Sequence, residues 1–462
     1  MDKRRNHAHT RKYVDIGLLS IIIIPIVIIS AFNHPLGDDY WFSAMVREVG
    51  FTKAFGIIYD TVSPRYTVLS LMAVSPLVFG NFWLYKLIPV LYIPVFALCN
   101  RYLLKTVTRN LYQSDEIKPD IFFISIVFTI TYLAVMPGIG EGLFWVSSLA
   151  GYQTALMGLM VFAALMIQWH YHKRRSAIKG IVTALCFVFV MGCNEIMAAF
   201  ISFIVLMIIG YQVFNKKRVD TLSLVLLGFM IAIWAFILTA PSFSSRYGKS
   251  LPTGNMAMLP LLVKACLYTA YHIGKCLVNP FFWVAVILSA PMVVRLNRRA
   301  RVNISGRSLI LILLASVFIM IGIEYVAIIL TETHVPPLRV TNMAVFFLLV
   351  AVLVIAICGI HLVSPFINPG FTRYRTLICV VLLIAGFFLK NNSSVAAREL
   401  LSGEAYRYDK ELKKRYQLLA ECPTDTCTVP LLTNRPSTLR FSIFDNDHHI
   451  GEYFGKTVIY IR

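Results

Sequence analysis

Two adjacent carboxylates, Asp38 and Asp39, follow an apolar run and are the first residues of the chain that suggest chemistry. They stand where a hydrophobic helix would leave a bilayer, and carboxylates at that position must face water or a partner. In one interpretation Gly37 ends the first helix, one aspartate caps the next, and residues 40–42 form an interfacial aromatic belt. In the other interpretation the pair is catalytic. The pair alone does not decide between them.

Three arginines, Arg65, Arg246 and Arg339, stand at or near the ends of other apolar runs. A single arginine at a span end commonly snorkels or contacts lipid headgroups, so each has a structural interpretation. The charge pattern described below places all three on the same membrane face as Asp38 and Asp39. Because ionisable groups embedded in membranes are functional by default, this coincidence predicts one anion-attracting cavity.

Further polar and aromatic residues from the same outward segments are predicted to line this cavity. Glu195 has an alternative role as the partner of a neighbouring helix, Trp145 as a belt residue, and His334 as a structural or solvated histidine. The predicted cavity residues are Tyr40, Tyr66, Glu141, Trp145, Tyr152, Asn194, Glu195, Tyr247 and His334.

These residue types suit transfer of a sugar from a polyprenyl phosphate to an acceptor hydroxyl. Arginines bind phosphate through bidentate contacts and would stabilise the phosphate as it leaves. Asp38 or Asp39 would take the proton of the attacking hydroxyl as a general base. One displacement without a covalent intermediate would invert the sugar anomer. The sequence has no clear metal-ligand spacing, so no metal or other cofactor is predicted.

The composition indicates a polytopic membrane protein. The 462 residues are 58% hydrophobic and 14% charged, with a mean hydropathy of +0.71, whereas soluble domains have about 25% charged residues. A net charge of +20 would suggest nucleic acid for a soluble protein, but here lysine and arginine are concentrated in short loops between apolar spans. That distribution is a topology signal, and no nucleic-acid partner is predicted.

The basic segments are predicted to be cytoplasmic, with an uncleaved first span and a cytoplasmic N-terminus. Besides the N-terminus they are residues 101–109, 173–179, 216–218, 295–307 and 373–375. Outward segments are then expected around residues 38–39, 141, 194–195, 241–260 and 331–342.

Apolar runs long enough to cross a bilayer predict about 11 to 13 transmembrane helices with the C-terminus outside. Residues 66–100 contain Pro76, Gly80, Pro89 and Pro94 and are either one crossing with a kinked or re-entrant piece or three short crossings. Residues 43–60 are predicted to form one or two short interfacial helices. The predicted crossings are 14–32, 121–137, 146–169, 178–194, 196–214, 221–240, 278–296, 308–330, 341–361 and 375–389.

The order of these motifs resembles the GT-C superfamily of multispanning membrane glycosyltransferases. The motifs are Gly37 to Trp41 after the first span, surface helices, the pair at residues 65–66, Glu141 to Trp145, and the pair at residues 194–195. They are similar to its bacterial branches, including bactoprenol-linked glucosyltransferases that decorate O-antigen. The resemblance covers residues 1–390, with 33–65 as the first outward loop. It implies a GT-C-like fold, a lipid-phosphate sugar donor and a base at Asp38 or Asp39; some members use a divalent metal and others do not.

Residues 391–462 are predicted to form a small α+β extracytoplasmic domain. Residues 395–420 favour an amphipathic helix, and residues 428–432 and 457–461 favour strands. Cys422 and Cys427 are predicted either to form a disulfide in an oxidising compartment or to remain two thiols. Residues 445–449 contain two aspartates and two histidines, for which a solvated loop is preferred over a metal site.

The sequence therefore predicts an all-α polytopic hexosyl- or pentosyltransferase of the bacterial cytoplasmic (inner) membrane. Its expected partners are a polyprenyl-phosphate sugar donor, an envelope glycan acceptor such as lipopolysaccharide or O-antigen, and membrane lipid. A transporter or flippase of lipid-linked glycan is the second interpretation, although no internal repeat supports it. A glycan polymerase or ligase, and a membrane sensor, are further alternatives.

Overall fold

The computed structural model describes residues 2–112, 118–171, 176–216, 218–247, 258–300, 305–329, 335–363, 371–439 and 448–461. His334 and the aspartates at 445 and 447 lie outside these ranges, and the side chains of Arg246 and Tyr247 are likewise outside the description.

The described chain is almost entirely helical, as the composition predicts. Two single turns of π-helix, Gly140–Phe144 and Leu149–Gln153, flank α7, and a third, Gln212–Lys216, follows α10. The helices are α1 (Asp2–Ile29), α2 (Asp38–Val49), α3 (Phe51–Thr61), α4 (Tyr66–Ala73), α5 (Phe82–Tyr112), α6 (Lys118–Val135), α7 (Val146–Ser148), α8 (Thr154–Tyr171), α9 (Ala177–Met191), α10 (Glu195–Tyr211), α11 (Thr221–Leu238), α12 (Pro241–Tyr247), α13 (Met258–Val278), α14 (Pro280–Ala300), α15 (Gly306–Ile329), α16 (Leu338–Val363), α17 (Phe371–Phe388), α18 (Asn392–Leu401), α19 (Glu404–Glu421) and α20 (His449–Phe454); the strands are β1 (Thr426–Pro430) and β2 (Thr457–Ile461).

Among the described residues, eight helices are long and apolar enough to cross a membrane, which confirms a multi-pass membrane protein. A ninth is added if α17 and α18, which meet at a 62° bend, count as one broken span. Three further apolar stretches are shorter than that length: Ile121–Val135 within α6, Ala177–Met191, which is α9, and Pro280–Ala290 within α14. The larger count of 11 to 13 from the sequence remains a prediction about those shorter helices.

Helix α13 meets the length criterion, but its packing keeps both of its ends near one face of the bundle. Near its start, Leu261 packs against Ile328 at the end of α15. Just after its end, Asn279 donates a hydrogen bond to the Ala134 carbonyl at the end of α6, at 3.1 Å. The segments that follow α6 and α15 contact each other, since the Gly138 N–H donates to Asn342 Oδ1. These contacts place both ends of α13 at this end of the bundle, although its length and composition would allow it to cross a membrane. No crossing was predicted at these residues from the sequence.

The first loop after α1 forms two short helices, α2 and α3, as the sequence predicted for residues 43–60. Gly50 separates them with φ +78°, a conformation that favours glycine. Their location at the membrane surface remains a prediction. In the ambiguous stretch 66–100, a short helix, α4, is followed by a turn at Gly80 (φ +73°) and the single long helix α5. This is the first of the two predicted arrangements.

The C-terminal segment packs directly onto the first loop. The predicted single helix 395–420 is instead two helices, because Gly403 adopts φ +73° between α18 and α19. Strands β1 and β2 pair in parallel. The strand predicted at 428–432 is β1, which begins two residues earlier, at Thr426. Cys422 and Cys427 form a disulfide. Val429 and Tyr453 share one hydrophobic cluster with Tyr40 and Val68 of α2 and α4, which fixes this segment against the residues around Asp38.

Candidate functional site

Asp38 and Asp39 occupy the first turn of α2 but point into different surroundings. Consecutive residues on a helix are about 100° apart, so adjacent side chains point in different directions. Asp38 is exposed, whereas Asp39 is completely buried. The structure therefore separates the two members of the acidic pair.

Asp39 is held as a structural acceptor. Its Oδ2 accepts hydrogen bonds from the Tyr85 hydroxyl at 2.6 Å and the Leu36 N–H at 3.2 Å, and its Oδ1 accepts one from the Ser147 N–H at 2.8 Å. Burial raises the pKa of the Asp39 carboxyl to about 7, against the opposing effect of these hydrogen bonds. Asp39 thus joins the first loop to α5 and α7, and its side chain does not border the cavity described next.

Asp38 borders a cavity of about 530 Å³, which we call the Asp38 cavity. Of the residues predicted to form a site, Arg65, Trp145, Tyr152 and Arg339 also line it. Its remaining lining residues are Phe42, Thr61, Val62, Ser63, Val68, Leu69, Ser147, Ser148, Gly151 and Ser245. Elements far apart in the sequence therefore bring one carboxylate and two guanidinium groups to one space.

Arg65 enters the cavity from the start of α4 and is paired with Glu195 at the start of α10. Its Nη2 lies 2.7 Å and its Nε 2.9 Å from Glu195 Oε2. Both side chains are largely buried. A buried ion pair fixes the guanidinium in one orientation, because moving either charge away would leave the other without compensation.

Arg339 enters from the start of α16 and is paired with Glu141. Glu141 Oε2 accepts from Arg339 Nη1 at 3.2 Å and from the Arg339 backbone N–H at 3.1 Å. The guanidinium carbon of Arg339 lies 5.7 Å from the ring centre of Tyr152, and that of Arg65 lies 5.8 Å from the same ring. Both arginines therefore lie near the Tyr152 ring, and cation–π attraction helps to hold them there.

Several predicted site residues have structural roles outside the cavity lining. The Tyr40 hydroxyl hydrogen-bonds with that of Tyr416 at 2.7 Å. The Tyr66 hydroxyl donates to the Val188 carbonyl at 2.5 Å. Asn194 caps α10 by accepting from the Met197 N–H and donates to the Gly151 carbonyl at 2.7 Å. Arg246 and Tyr247 lie at the end of α12, next to the lining residue Ser245.

The arrangement suits an anionic ligand with a hydroxyl-bearing partner. A guanidinium carries five N–H donors in a planar fork, and the two arginines meet their carboxylates outside the lining of the cavity. Within that lining, two guanidinium groups and one carboxylate face the same space, and each guanidinium is also paired with a glutamate behind it. Asp38, exposed to the same space, is the carboxylate positioned to accept a proton there.

A second cavity, of about 760 Å³, lies beyond the Glu141–Arg339 pair. Glu141 lines this second cavity, whereas Arg339 lines the Asp38 cavity. The ion pair therefore forms part of the wall between them. Lys275 and Lys390 also line the second cavity.

A second polar cluster beside this site was not predicted from the sequence. We call it the His34–Asp409 junction, and it is formed by His34, Lys86, Asp409 and Tyr416. His34 Nε2 lies 2.9 Å and Lys86 Nζ 2.5 Å from Asp409 Oδ1, and His34 Nδ1 lies 2.8 Å from the Tyr416 hydroxyl. Burial lowers the pKa of His34 to about 4. Burial alone would raise the pKa of Asp409, but hydrogen bonds from His34, Lys413 and Lys86 lower it well below its usual value. One signal was present, since Lys86 is an isolated cation in an apolar run.

Within the described ranges, no cluster of three or more metal-ligating side chains is found. The prediction that no metal is needed remains untested. No protein-family model matches the chain, and no curated protein sequence matches it.

Proposed function

We propose that this chain is a membrane glycosyltransferase of GT-C type that transfers a sugar from a polyprenyl-phosphate donor to a glycan acceptor in the extracytoplasmic half of a bacterial cytoplasmic membrane. The observation that carries the proposal is the convergence of Asp38, Arg65 and Arg339 on one cavity. The resemblance of the motifs around residues 37–41, 141–145 and 194–195 to that superfamily supports it.

In the proposed reaction the donor phosphate lies against Arg65 and Arg339. The acceptor oxygen attacks the anomeric carbon, and the bond from that carbon to the phosphate oxygen breaks. The leaving phosphate keeps the electron pair, and the two guanidinium groups stabilise its developing charge. Asp38 takes the proton of the acceptor hydroxyl. The single displacement inverts the anomer.

The structure supports Asp38 over Asp39 as the base. A base must reach the acceptor, and Asp38 is exposed to the cavity whereas Asp39 is surrounded by three donors. Arg246 was part of the predicted phosphate site together with Arg65 and Arg339. Its backbone lies next to the cavity residue Ser245, and its role stays a prediction.

The test is the envelope glycan composition of cells that lack this chain and are complemented with wild type, Asp38→Asn or Asp39→Asn at matched membrane abundance. We expect one sugar to disappear without the chain. Wild type should restore it, and Asp38→Asn should reduce its transfer by about 100- to 10,000-fold, the usual contribution of a general base.

Asp39→Asn is the matched control, because it makes the same chemical change one residue away. It should restore the sugar once its abundance is matched. If Asp38→Asn restores the sugar as well as wild type does, the catalytic assignment is wrong, and a transporter of lipid-linked glycan becomes the better proposal.

A further inference from the structure

A third cavity lies at the far end of α5 from the Asp38 cavity and has a volume of about 460 Å³. It is formed between α5, the end of α8 and the start of α9. All seven side chains that line it are polar, in a chain that is 58% hydrophobic. They are Tyr102, Lys105, Thr106, Arg109, Asn110, Gln168 and Lys179.

The charges of this cavity are all of one sign. Lys105 and Arg109 stand one helical turn apart on α5, and Lys179 reaches the cavity from α9. None of the seven lining residues is acidic, and none of the three cations forms an ion pair with another described residue. Like charges brought this close repel one another, so an anion in the cavity would relieve an existing repulsion.

Gln168 organises the neutral part of the cavity. Its Nε2 donates to the Tyr102 hydroxyl at 3.0 Å and to Thr106 Oγ1 at 3.1 Å. A hydroxyl that accepts a hydrogen bond keeps its own proton as a donor. The amide therefore uses acceptor capacity on both hydroxyls, which increases the donor character of the cavity.

The position of this cavity separates it from the proposed catalytic centre. Tyr85, which hydrogen-bonds with Asp39 next to Asp38, lies near the start of α5, and Lys105 lies 20 residues further on. At 1.5 Å per residue this is about 30 Å, close to the thickness of the hydrocarbon core of a bilayer. The cavity therefore opens on the opposite membrane face from the Asp38 cavity.

We propose that this cavity binds a phosphate group on the membrane face opposite to the Asp38 cavity. The planar fork of Arg109 makes bidentate contacts to phosphate oxygens, and the two lysines add compact positive charges. Hydroxyl donors from Tyr102 and Thr106 complete the set of donors around a tetrahedral anion. The phosphate belongs either to the headgroup of a lipid in the adjacent leaflet or to a soluble phosphorylated molecule. This proposal does not depend on the glycosyltransferase assignment.

The experiment uses the full-length purified protein and two probes. Equilibrium binding of radiolabelled inorganic phosphate, with the protein in phosphatidylcholine nanodiscs, tests the soluble source. Native mass spectrometry with phosphatidic acid, compared with phosphatidylcholine, tests the lipid source. Because Arg65 and Arg339 offer another anion site, both measurements are made in an Arg339→Gln background as well as in wild type.

We expect a saturable component that survives Arg339→Gln and that Arg109→Gln weakens about tenfold, as loss of one charge-assisted contact would. Lys179→Gln, on a different helix, should weaken it as well, so the result does not depend on the folding of one variant. Binding of inorganic phosphate identifies a soluble ligand. Binding of phosphatidic acid alone identifies a lipid headgroup.

Arg101→Gln is the matched control. It removes the same charge from the same helix two turns away, where Arg101 lies over the Phe122 ring at 5.4 Å and does not line the cavity. Equal weakening by Arg101→Gln and Arg109→Gln would show only a generally basic membrane face and would overturn the proposal. It would also be overturned if neither probe bound in a manner that depends on Arg109 or Lys179.

Discussion

The Asp38 cavity and the His34–Asp409 junction lie at the same end of the helix bundle and contain similar side chains. At the junction, the Asp409 carboxylate interacts with His34, Lys86 and Lys413, so both of its oxygens have partners. In the cavity, Arg65 and Arg339 meet their carboxylates outside the lining, and Asp38 faces the open space. The junction joins segments of the chain around one buried carboxylate, whereas the cavity places charged groups beside a space of about 530 Å³.

This difference shows that charge and burial do not by themselves identify a functional site. His34, Asp39 and Asp409 are buried ionisable groups whose pKa values depart from their usual ranges. Such departures are enriched at functional sites but also occur in structural networks. Space beside the charged group distinguishes the two cases here.

The largest loss of stability is expected for Asp409→Asn, and it would test the structural role of the junction against the open cavity. Removing this carboxylate leaves Lys86 without the anion that compensates it in a buried setting and removes the charged hydrogen-bond partner of His34, so the variant should lose about 3–5 kcal/mol of stability. Chemical denaturation in detergent would measure it. Lys413→Gln removes a partner of the same carboxylate whose side chain is 63% exposed, and it should cost less than about 1 kcal/mol. Equal losses would contradict the structural role of the junction.

A pH-dependent effect, which at its full extent approaches that of Asp409→Asn, is expected for Asp39. Because its pKa is raised to about 7 in the folded protein, the folded state holds a proton that the unfolded state releases near its ordinary value. Stability from this group is complete at low pH and is lost as pH rises from about 4 to 7, by about 1.4 kcal/mol per pH unit at most. It then levels off.

The measurement is the difference in unfolding free energy between wild type and Asp39→Asn across that range. His34 and Asp409 titrate alike in both proteins, so their contributions cancel in the difference. Wild type should lose stability relative to the variant as pH rises. A difference independent of pH would mean that Asp39 is ionised throughout.

The smallest expected effect is on transfer by Arg339→Lys, and it rests on the proposed function. Lysine keeps the charge but loses the planar fork, so sugar transfer should fall about tenfold while the stability changes little. Initial rates of sugar incorporation in isolated membranes would measure this. Arg47→Lys is the control, since Arg47 stacks on Tyr453 at 3.8 Å and does not line the cavity. Full activity of Arg339→Lys would remove Arg339 from the phosphate site.

The sequence predicted what depends on local pattern. Apolar runs predicted most of the long helices, and the mixed residues 43–60 predicted the short helices α2 and α3. The distribution of basic loops also predicted that Asp38, Arg65 and Arg339 lie at one membrane face. Their meeting in one cavity needs the packing of α2, α4 and α16, which residues far apart in the chain determine.

What the sequence could not predict is the contact each side chain makes. Asp38 and Asp39 are equivalent in the sequence pattern. Only the hydrogen bonds from Tyr85 and Ser147 show that Asp39 has a structural role. Asp409 stands among many charged residues of α19, so nothing in its neighbourhood marks it as the partner of His34. Tyr40 and Tyr66 had the same aromatic signal as Tyr152, yet their hydroxyls bind Tyr416 and the Val188 carbonyl.

Helix α5 carries Tyr85, which contacts Asp39, Lys86 of the junction and five residues of the third cavity. It also contains Pro89 and Pro94. A proline has no N–H and its ring crowds the preceding turn, so the carbonyls of Tyr85 and Val90 lack their usual helical hydrogen bonds. The helix is therefore easiest to bend between Tyr85 and Pro94, which lie between Asp39 and the third cavity. Bending at the prolines would absorb most of a displacement at Arg109. Little of that displacement would then reach Tyr85 and Asp39.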